Sequence, residues 1–244
     1  MKCKNMVVQQ CKDGFFMRPC GQCLACRIND TRDWYVRSLF ESKKTDRPFQ
    51  YFLTLTYDDD HLPSDGLCQQ DELKKFINNL NTSFSLSMRY FATSDYGSEN
   101  NRPHYHLLVF SAKQISHDAV ARIWKKGFVY LKTMKDYNIR YTLRYTVKKT
   151  PFDDSKIGWF RLISKGYGDN CVNYMYPGIP YFQFHGKKYR VPDYCLKKYD
   201  NKEPIDKFKN YVNLTMTSHF ENKGTYASFI RSCEDLYLYK RRLK

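Results

Sequence analysis

Apolar residues recur along this chain with two periods, and the switches between them mark out a succession of short helices and strands. Residues 27–43 show the helical period: Trp34, Leu39 and Phe40 share a face, while Arg27, Arg32, Arg37 and Lys43, with Lys44 just beyond, supply charge. Pro48 ends that register, and 50–57, QYFLTLTY, is a strand of apolar and β-branched residues expected near the centre of a sheet. The helical period returns at 71–80, where Leu73, Phe76, Ile77 and Leu80 fall together and Asp71 stands near the start. The next strand is 88–94, MRYFATS, which runs through Asp95-Tyr96-Gly97 and a polar loop into its antiparallel partner 102–110, RPHYHLLVF. A helix at 115–126 ended by Gly127 and a short strand at 128–132 follow, and then 136–149, DYNIRYTLRYTVKK. That last segment is read as a helix, although β-branched Thr142, Thr146 and Val147 weaken it. Further on, 159–168 and 181–192 give strands and loops rich in aromatic and basic residues, with His185 a polar turn residue. Residues 221–244 give a final helix ending Lys240-Arg241-Arg242-Leu243-Lys244, a basic tail that either clamps nucleic acid or is simply solvated.

Composition narrows what such a chain binds. Lys and Arg total 41 against 25 Asp and Glu, a formal charge of +16, so the natural partner is a polyanion. Aromatic residues make up 17% of the chain, with 21 tyrosines. Basic side chains interleaved with aromatic ones suit single-stranded nucleic acid, gripped by its phosphates and stacked by its bases. The alternative is a folded protein with a solvated basic face. No apolar run approaches the length of a membrane span, and the polar residues 1–5 do not read as a signal peptide, so an intracellular protein is expected.

Candidate chemistry concentrates in three places. In RPHYHLLVF, His104 and His106 stand two apart, so on a strand both imidazoles project from one face and Tyr105 from the other. Two imidazoles on one face are half of a metal site. The antiparallel pairing would bring Asp95, nine residues before His104, beside them as a third ligand; a turn-capping role is the other reading. An oxygen added to two nitrogens suits Mg²⁺ or Mn²⁺ acting on phosphate, with positions left for substrate. If 136–149 is helical, Tyr141, Tyr145 and Lys148 share one stripe, either as two phenols and an ammonium facing a substrate or as an aromatic face packed on the sheet, which Tyr137 would continue. Near the start, Cys3, Cys11, Cys20, Cys23 and Cys26 are five of the nine cysteines. Their spacing allows a structural zinc held by Cys3, Cys20, Cys23 and Cys26, with Cys11 as a substitute ligand, or else reduced thiols that pack a loop on the sheet. Asp58-Asp59-Asp60-His61 reads better as an acidic turn than as a cation site.

The order of motifs is more specific than any one of them. Cys20-Gly-x-Cys23-x-x-Cys26-Arg27, FLTLTY, DYG, RPHYHLLVF and Tyr141-x-x-x-Tyr145-x-x-Lys148-Lys149, in this sequence, resemble the replication initiators of small circular single-stranded DNA phages. These are the Microviridae, gokushovirus-like branch, of the HUH endonuclease superfamily of rolling-circle Rep proteins, and the resemblance runs from about Cys3 to Arg190. It implies an α+β fold of the HUH/Rep type, a central antiparallel sheet with flanking helices, the histidine strand near its centre and the tyrosine helix alongside. By the same resemblance His104 and His106 are the metal-binding pair, Asp95 takes the acidic position often filled by Glu, and Tyr141 and Tyr145 are the nucleophiles of a site-specific nicking and joining enzyme. Lys148 would steady phosphate charge. The implied organisation is a cysteine-rich segment at 1–30 packed on the main domain, an endonuclease domain at 31–200 and a basic C-terminal extension at 201–244. The implied partners are single-stranded and origin DNA of the phage and the host helicase and polymerase, in the host bacterial cytoplasm, with no membrane. Two other readings share many of these residues: an HUH transposase or relaxase, and a non-catalytic, zinc-stabilised single-strand DNA-binding protein.

Overall fold

The computed structural model describes residues 3, 5–11, 14–85, 87–97, 101–148, 159–176, 179 and 181–199, and the side chains of 9, 11, 14–17 and 146–148 lie outside the description. The elements in chain order are β1 (Val7–Cys11), β2 (Gly14–Arg18), α1 (Leu24–Glu41), β3 (Phe49–Thr56), α2 (Gln70–Phe84), β4 (Arg89–Tyr96), β5 (Pro103–Ser111), α3 (His117–Trp124), β6 (Val129–Thr133), α4 (Asp136–Lys148), β7 (Arg161–Ile163), a 3₁₀ turn (Asp169–Tyr174), β8 (Tyr181–Phe184), β9 (Lys187–Arg190) and α5 (Asp193–Lys198). Trp34–Cys171 forms one compact unit; the described residues up to Asp33 and from Val172 onward form another.

The 34–171 unit is built on a five-stranded sheet in the order β6-β3-β5-β4-β7, antiparallel at every pairing. This is the expected α+β architecture, with RPHYHLLVF as the middle strand. Strand alternation divides its side chains between two layers. One face carries Tyr51, Leu53, Leu55 and Tyr57 of β3 with Tyr105, Leu107 and Val109 of β5, and all are buried. Leu73, Phe76, Ile77 and Leu80 of α2 cover that face from a single helical stripe, beside Val120 and Trp124 of α3. Tyr105, which stands between the two histidines, is pinned there: its hydroxyl lies 2.7 Å from the Tyr57 hydroxyl and accepts from the Gln69 amide at 2.7 Å. Tyr57 in turn donates to Glu72 at 2.6 Å, joining β3, β5 and the start of α2 in one buried polar network.

The opposite face is more polar along β3, β4 and β5. It presents Phe52, Thr54 and Thr56, then His104, His106 and Leu108, then Phe91, Thr93 and Asp95. Trp34 packs on Phe91 with ring centroids 5.4 Å apart, and Tyr167 closes on both.

Several boundaries differ from the sequence expectation for identifiable reasons. The helix expected at 115–126 is shorter, because Ser116 caps it by accepting from the Ala119 amide and Lys125 turns left-handed at its end. Gly127 therefore does not stop the helix. It sits at φ +137° where the chain passes the end of β3, with Asp58 donating to the Lys126 carbonyl and Phe128 to the Thr56 carbonyl, each at 2.9 Å. Strand β4 runs on through Asp95 and Tyr96, so Asp95 lies in the sheet and not in a turn. The β1–β2 hairpin was not expected from the sequence; the β8–β9 hairpin turns at His185-Gly186, both with positive φ, as a two-residue connection requires. The final helix expected at 221–244 and the basic tail lie outside the described residues.

A Cβ on Gly127 would meet the Thr56 carbonyl oxygen at 2.5 Å, the Tyr57 carbonyl carbon at 2.6 Å and the Asp58 amide closer still. Gly127→Ala should therefore lower stability by about 2–4 kcal/mol, read as a reduced midpoint of denaturant unfolding of the whole chain; an unchanged midpoint would refute the close approach.

Candidate metal and nucleophile site

The pairing of β4 with β5 sets the first part of the site. It places Asp95 directly across from His104 and Thr93 across from His106, while β3 brings Thr56 and Thr54 to the other side of the same two histidines. Asp95, His104 and His106 thereby converge, with one ligand atom from each within 4.8 Å of the others. His104 Nε2 and Asp95 Oδ2 are 3.4 Å apart. The Arg102 carbonyl lies 3.0 Å from His104 Nδ1, so Nδ1 donates there and Nε2 carries the lone pair. Thr54 Oγ1 holds His106 Nδ1 at 3.0 Å. Polar bonds of this kind to the far ring nitrogen fix the imidazole of a metal ligand. Asp95 and His106 are buried, and a buried carboxylate beside two imidazoles is stabilised by a cation among them.

Helix α4 brings the second part. It is formed despite its β-branched residues because Ile139, Thr142 and Leu143 are buried. Its first turn is tied to α1: the Tyr35 hydroxyl donates to Asp136 Oδ1 at 2.8 Å, Arg140 Nε donates to Asp136 Oδ2 at 2.9 Å, and Arg140 Nη2 donates to the Tyr35 hydroxyl at 2.8 Å. The sequence reading missed this trio, because Tyr35 and Asp136 are 101 positions apart and no local pattern joins them.

Tyr141 and Tyr145 then fall on the histidines. The Tyr145 ring stacks on His106 at 4.6 Å and 17°, Tyr141 meets His106 edge-on at 5.3 Å, and the two phenol rings are 5.1 Å apart. Their environments differ: Tyr141 is 40% exposed and Tyr145 only 4%. Burial pushes the Tyr145 phenol well above its ordinary range, helped by its hydrogen bond with Tyr141 and the charge of Asp95. Both earlier readings of the stripe thus apply, packing to Tyr145 and solvent access to Tyr141. Tyr137 continues the stripe outward and is exposed. Lys148 closes α4, and its side chain lies outside the described residues.

The cysteines converge in the other unit. Ligand atoms of Cys3, Cys20, Cys23 and Cys26 all lie within 4.8 Å of one another. Cys3 and Cys23 sulfurs are 3.8 Å apart and those of Cys20 and Cys26 are 4.0 Å apart. Zn–S bonds of about 2.3 Å in a tetrahedron put sulfurs about 3.8 Å apart, so the four thiols fit a zinc ion without rearrangement. The amides of Cys23 and Gln22 hold the Cys20 thiol down to about 6, whereas burial pushes the Cys26 thiol up. The side chain of Cys11 lies outside the described residues.

The remaining candidates have structural roles. Asp58 accepts from the His61 amide and lies 2.7 Å from its ring, and Asp59 pairs with Arg102, so the acidic stretch is a turn. Among the described residues no helix is long and apolar enough to cross a membrane.

Known proteins bear on this arrangement. Residues 50–150, which hold Asp95, both histidines and both tyrosines, match the family model of the replication-associated protein ORF2/gene-two protein. Replication-associated protein ORF2 of Spiroplasma virus 4 is 31% identical over 161 residues, 57% of this chain and 50% of that protein. Replication-associated protein VP4 of Bdellovibrio phage phiMH2K is 31% identical over 157 residues, 55% and 49% of the respective chains. Replication-associated protein ORF4 of Chlamydia phage 1 is 26% identical over 163 residues, 57% and 40%. The chain thus spans about half the length of the first two relatives. Among solved structures, the hypothetical protein ORF119 from Sulfolobus islandicus rod-shaped virus 1 is 19% identical with a TM-score of 0.32, over 50% of this chain and 96% of that one, a likeness too slight to build on. Through the 50–150 match and these relatives, the chain is related to the ORF2-type replication-associated proteins of Microviridae-like phages, as the order of its motifs implied.

Proposed function

We propose that this chain is a metal-dependent HUH endonuclease that nicks and rejoins single-stranded DNA to start rolling-circle replication of a circular phage genome. One observation carries this reading: two phenol rings of α4 lie against His106, itself one of three convergent metal-ligating side chains. The donor set of two nitrogens and a carboxylate suits Mg²⁺ or Mn²⁺ held by His104, His106 and Asp95. A cation there would supply Lewis acidity at the scissile phosphate, which a weak phenol nucleophile needs near neutral pH.

The chain's own residues do the rest. A tyrosine oxygen bonds to phosphorus, the phenol loses its proton, the P–O3′ bond breaks, and the departing oxygen gains a proton as a free 3′-hydroxyl. The phosphotyrosine keeps the bond energy needed for later joining. Tyr141 is the first nucleophile, because it is exposed to an incoming strand where Tyr145 is buried. Tyr145 becomes reachable once α4 shifts, and it cuts the regenerated origin while the freed 3′ end attacks the first link. Lys148 is assigned to the phosphate charge by its place one turn on. The 3′-hydroxyl is then the primer that the host helicase and polymerase extend. In the other unit, Cys3, Cys20, Cys23 and Cys26 hold a structural zinc.

Incubation of the full chain with labelled single-stranded phage DNA and Mn²⁺, followed by denaturing electrophoresis, should give a covalent band that EDTA and His104→Ala remove. Tyr141→Phe should lower initial adduct formation by roughly 10³-fold, with Tyr145→Phe affecting mainly the joined product. A band that persists in the double variant would sink the assignment, and salt-sensitive binding with no band on any DNA would favour the non-catalytic binder. Elemental analysis should find one zinc per chain, lost on Cys20→Ser. After chelation, Cys20 should alkylate faster as pH rises through about 6, where its thiol gives up its proton, and added zinc should protect it; finding neither zinc nor protection would return the thiols to simple packing.

A further inference from the structure

Edge strand β6 leaves an exposed aromatic group beside Tyr141. Alternation turns Val129 and Leu131 toward the core and sends Tyr130 and Lys132 to the face that bears the histidines. Tyr130 is 46% exposed and Tyr137, one turn before Tyr141 on α4, is 60% exposed. Phe52 connects the group to the site: its ring meets Tyr130 edge-on at 6.3 Å, Tyr141 edge-on at 5.9 Å and stacks toward His106 at 5.7 Å. The Lys132 ammonium lies over the Tyr130 ring, 4.9 Å from its centroid. Three phenols and an ammonium are thus presented to solvent next to the exposed nucleophile. Nothing in the packing of the sheet requires this, since edge positions are served as well by short polar residues.

We infer that Tyr130, Lys132 and Tyr137 form a stacking platform that seats the unpaired bases of single-stranded DNA next to the scissile phosphate. The occupant is single-stranded because every base offers a π-face that a phenol can meet only when it is out of the duplex. The charge of Lys132 and the +16 of the whole chain match its backbone. Tyr130 and Tyr137 take the bases and Lys132 takes a phosphate between them. This rests on the nicking reading for the place of the scissile bond, yet it concerns binding alone and is tested without chemistry.

Anisotropy of a labelled oligothymidine with the full chain in EDTA measures it. Tyr130→Ala and Tyr137→Ala should each weaken binding by roughly 5- to 50-fold with the salt slope kept, Tyr130→Phe should bind as the parent does, and Lys132→Ala should reduce the salt slope by about one. Unfolding midpoints of the same variants show whether each is folded. Should Tyr130→Ala fail to fold, photocrosslinking of the parent to an iododeoxyuridine oligonucleotide decides: adducts on Tyr130 or Tyr137 support the platform, and adducts only elsewhere overturn it. Unchanged affinity in all three variants would also overturn it, whatever the covalent band does. A missing covalent band with weakened binding in these variants would instead remove the nicking reading and keep the platform.

Discussion

The antiparallel register between β4 and β5 is the constraint on which the site depends. Asp95 stands across from His104 only because each of the eight residues of β4 finds its partner on β5. A slip of one residue would turn Asp95 to the other face and send Tyr90 and Ala92 out of the core. The register is held from the far side of the sheet, where Tyr105, Leu107 and Val109 are locked under α2 and α3 and Tyr105 is bonded to Tyr57 and Gln69. A hydrophobic layer and a buried phenol network thus fix the position of polar side chains they never touch.

The two faces have different tasks. The α2/α3 face is closely apolar and supplies burial energy. The opposite face gives up part of that energy to hold a carboxylate, two imidazoles and three threonines, and it regains contact by laying the phenols of α4 on His106. Stacking Tyr145 on His106 buries a large ring over a polar site and leaves Tyr141, a turn earlier, at the rim.

Most of this frame was legible in the chain. Period-two alternation found β3, β4 and β5, and the His-x-His spacing with Asp95 on the neighbouring strand gave the convergence, because these facts depend on local pattern and one pairing. The apolar stripe of α2 was equally plain. Less legible was whatever depended on distant partners or on backbone detail. The Tyr35–Asp136–Arg140 trio joins segments about a hundred residues apart. Gly127 looked like a helix stop until its contact with β3 explained its φ. Tyr141 and Tyr145 have identical local contexts, so their unequal burial arises only when α4 meets the sheet. The signal for Tyr130 and Lys132 was present in the alternation of β6, but nothing in sequence said which face the histidines would share.

The anchoring of α4 at its first turn has a mechanical consequence. Asp136 and Arg140 fasten the helix to Tyr35 near one end, so the helix is a lever with its fulcrum there. At about 1.5 Å of rise per residue, Tyr141 sits about 7 Å from Asp136 and Tyr145 about 13 Å. A given rotation about the anchor therefore carries Tyr145 nearly twice as far as Tyr141. The buried ring is the one at the long end of the arm, and a small tilt suffices to lift it from His106 while the exposed ring hardly moves.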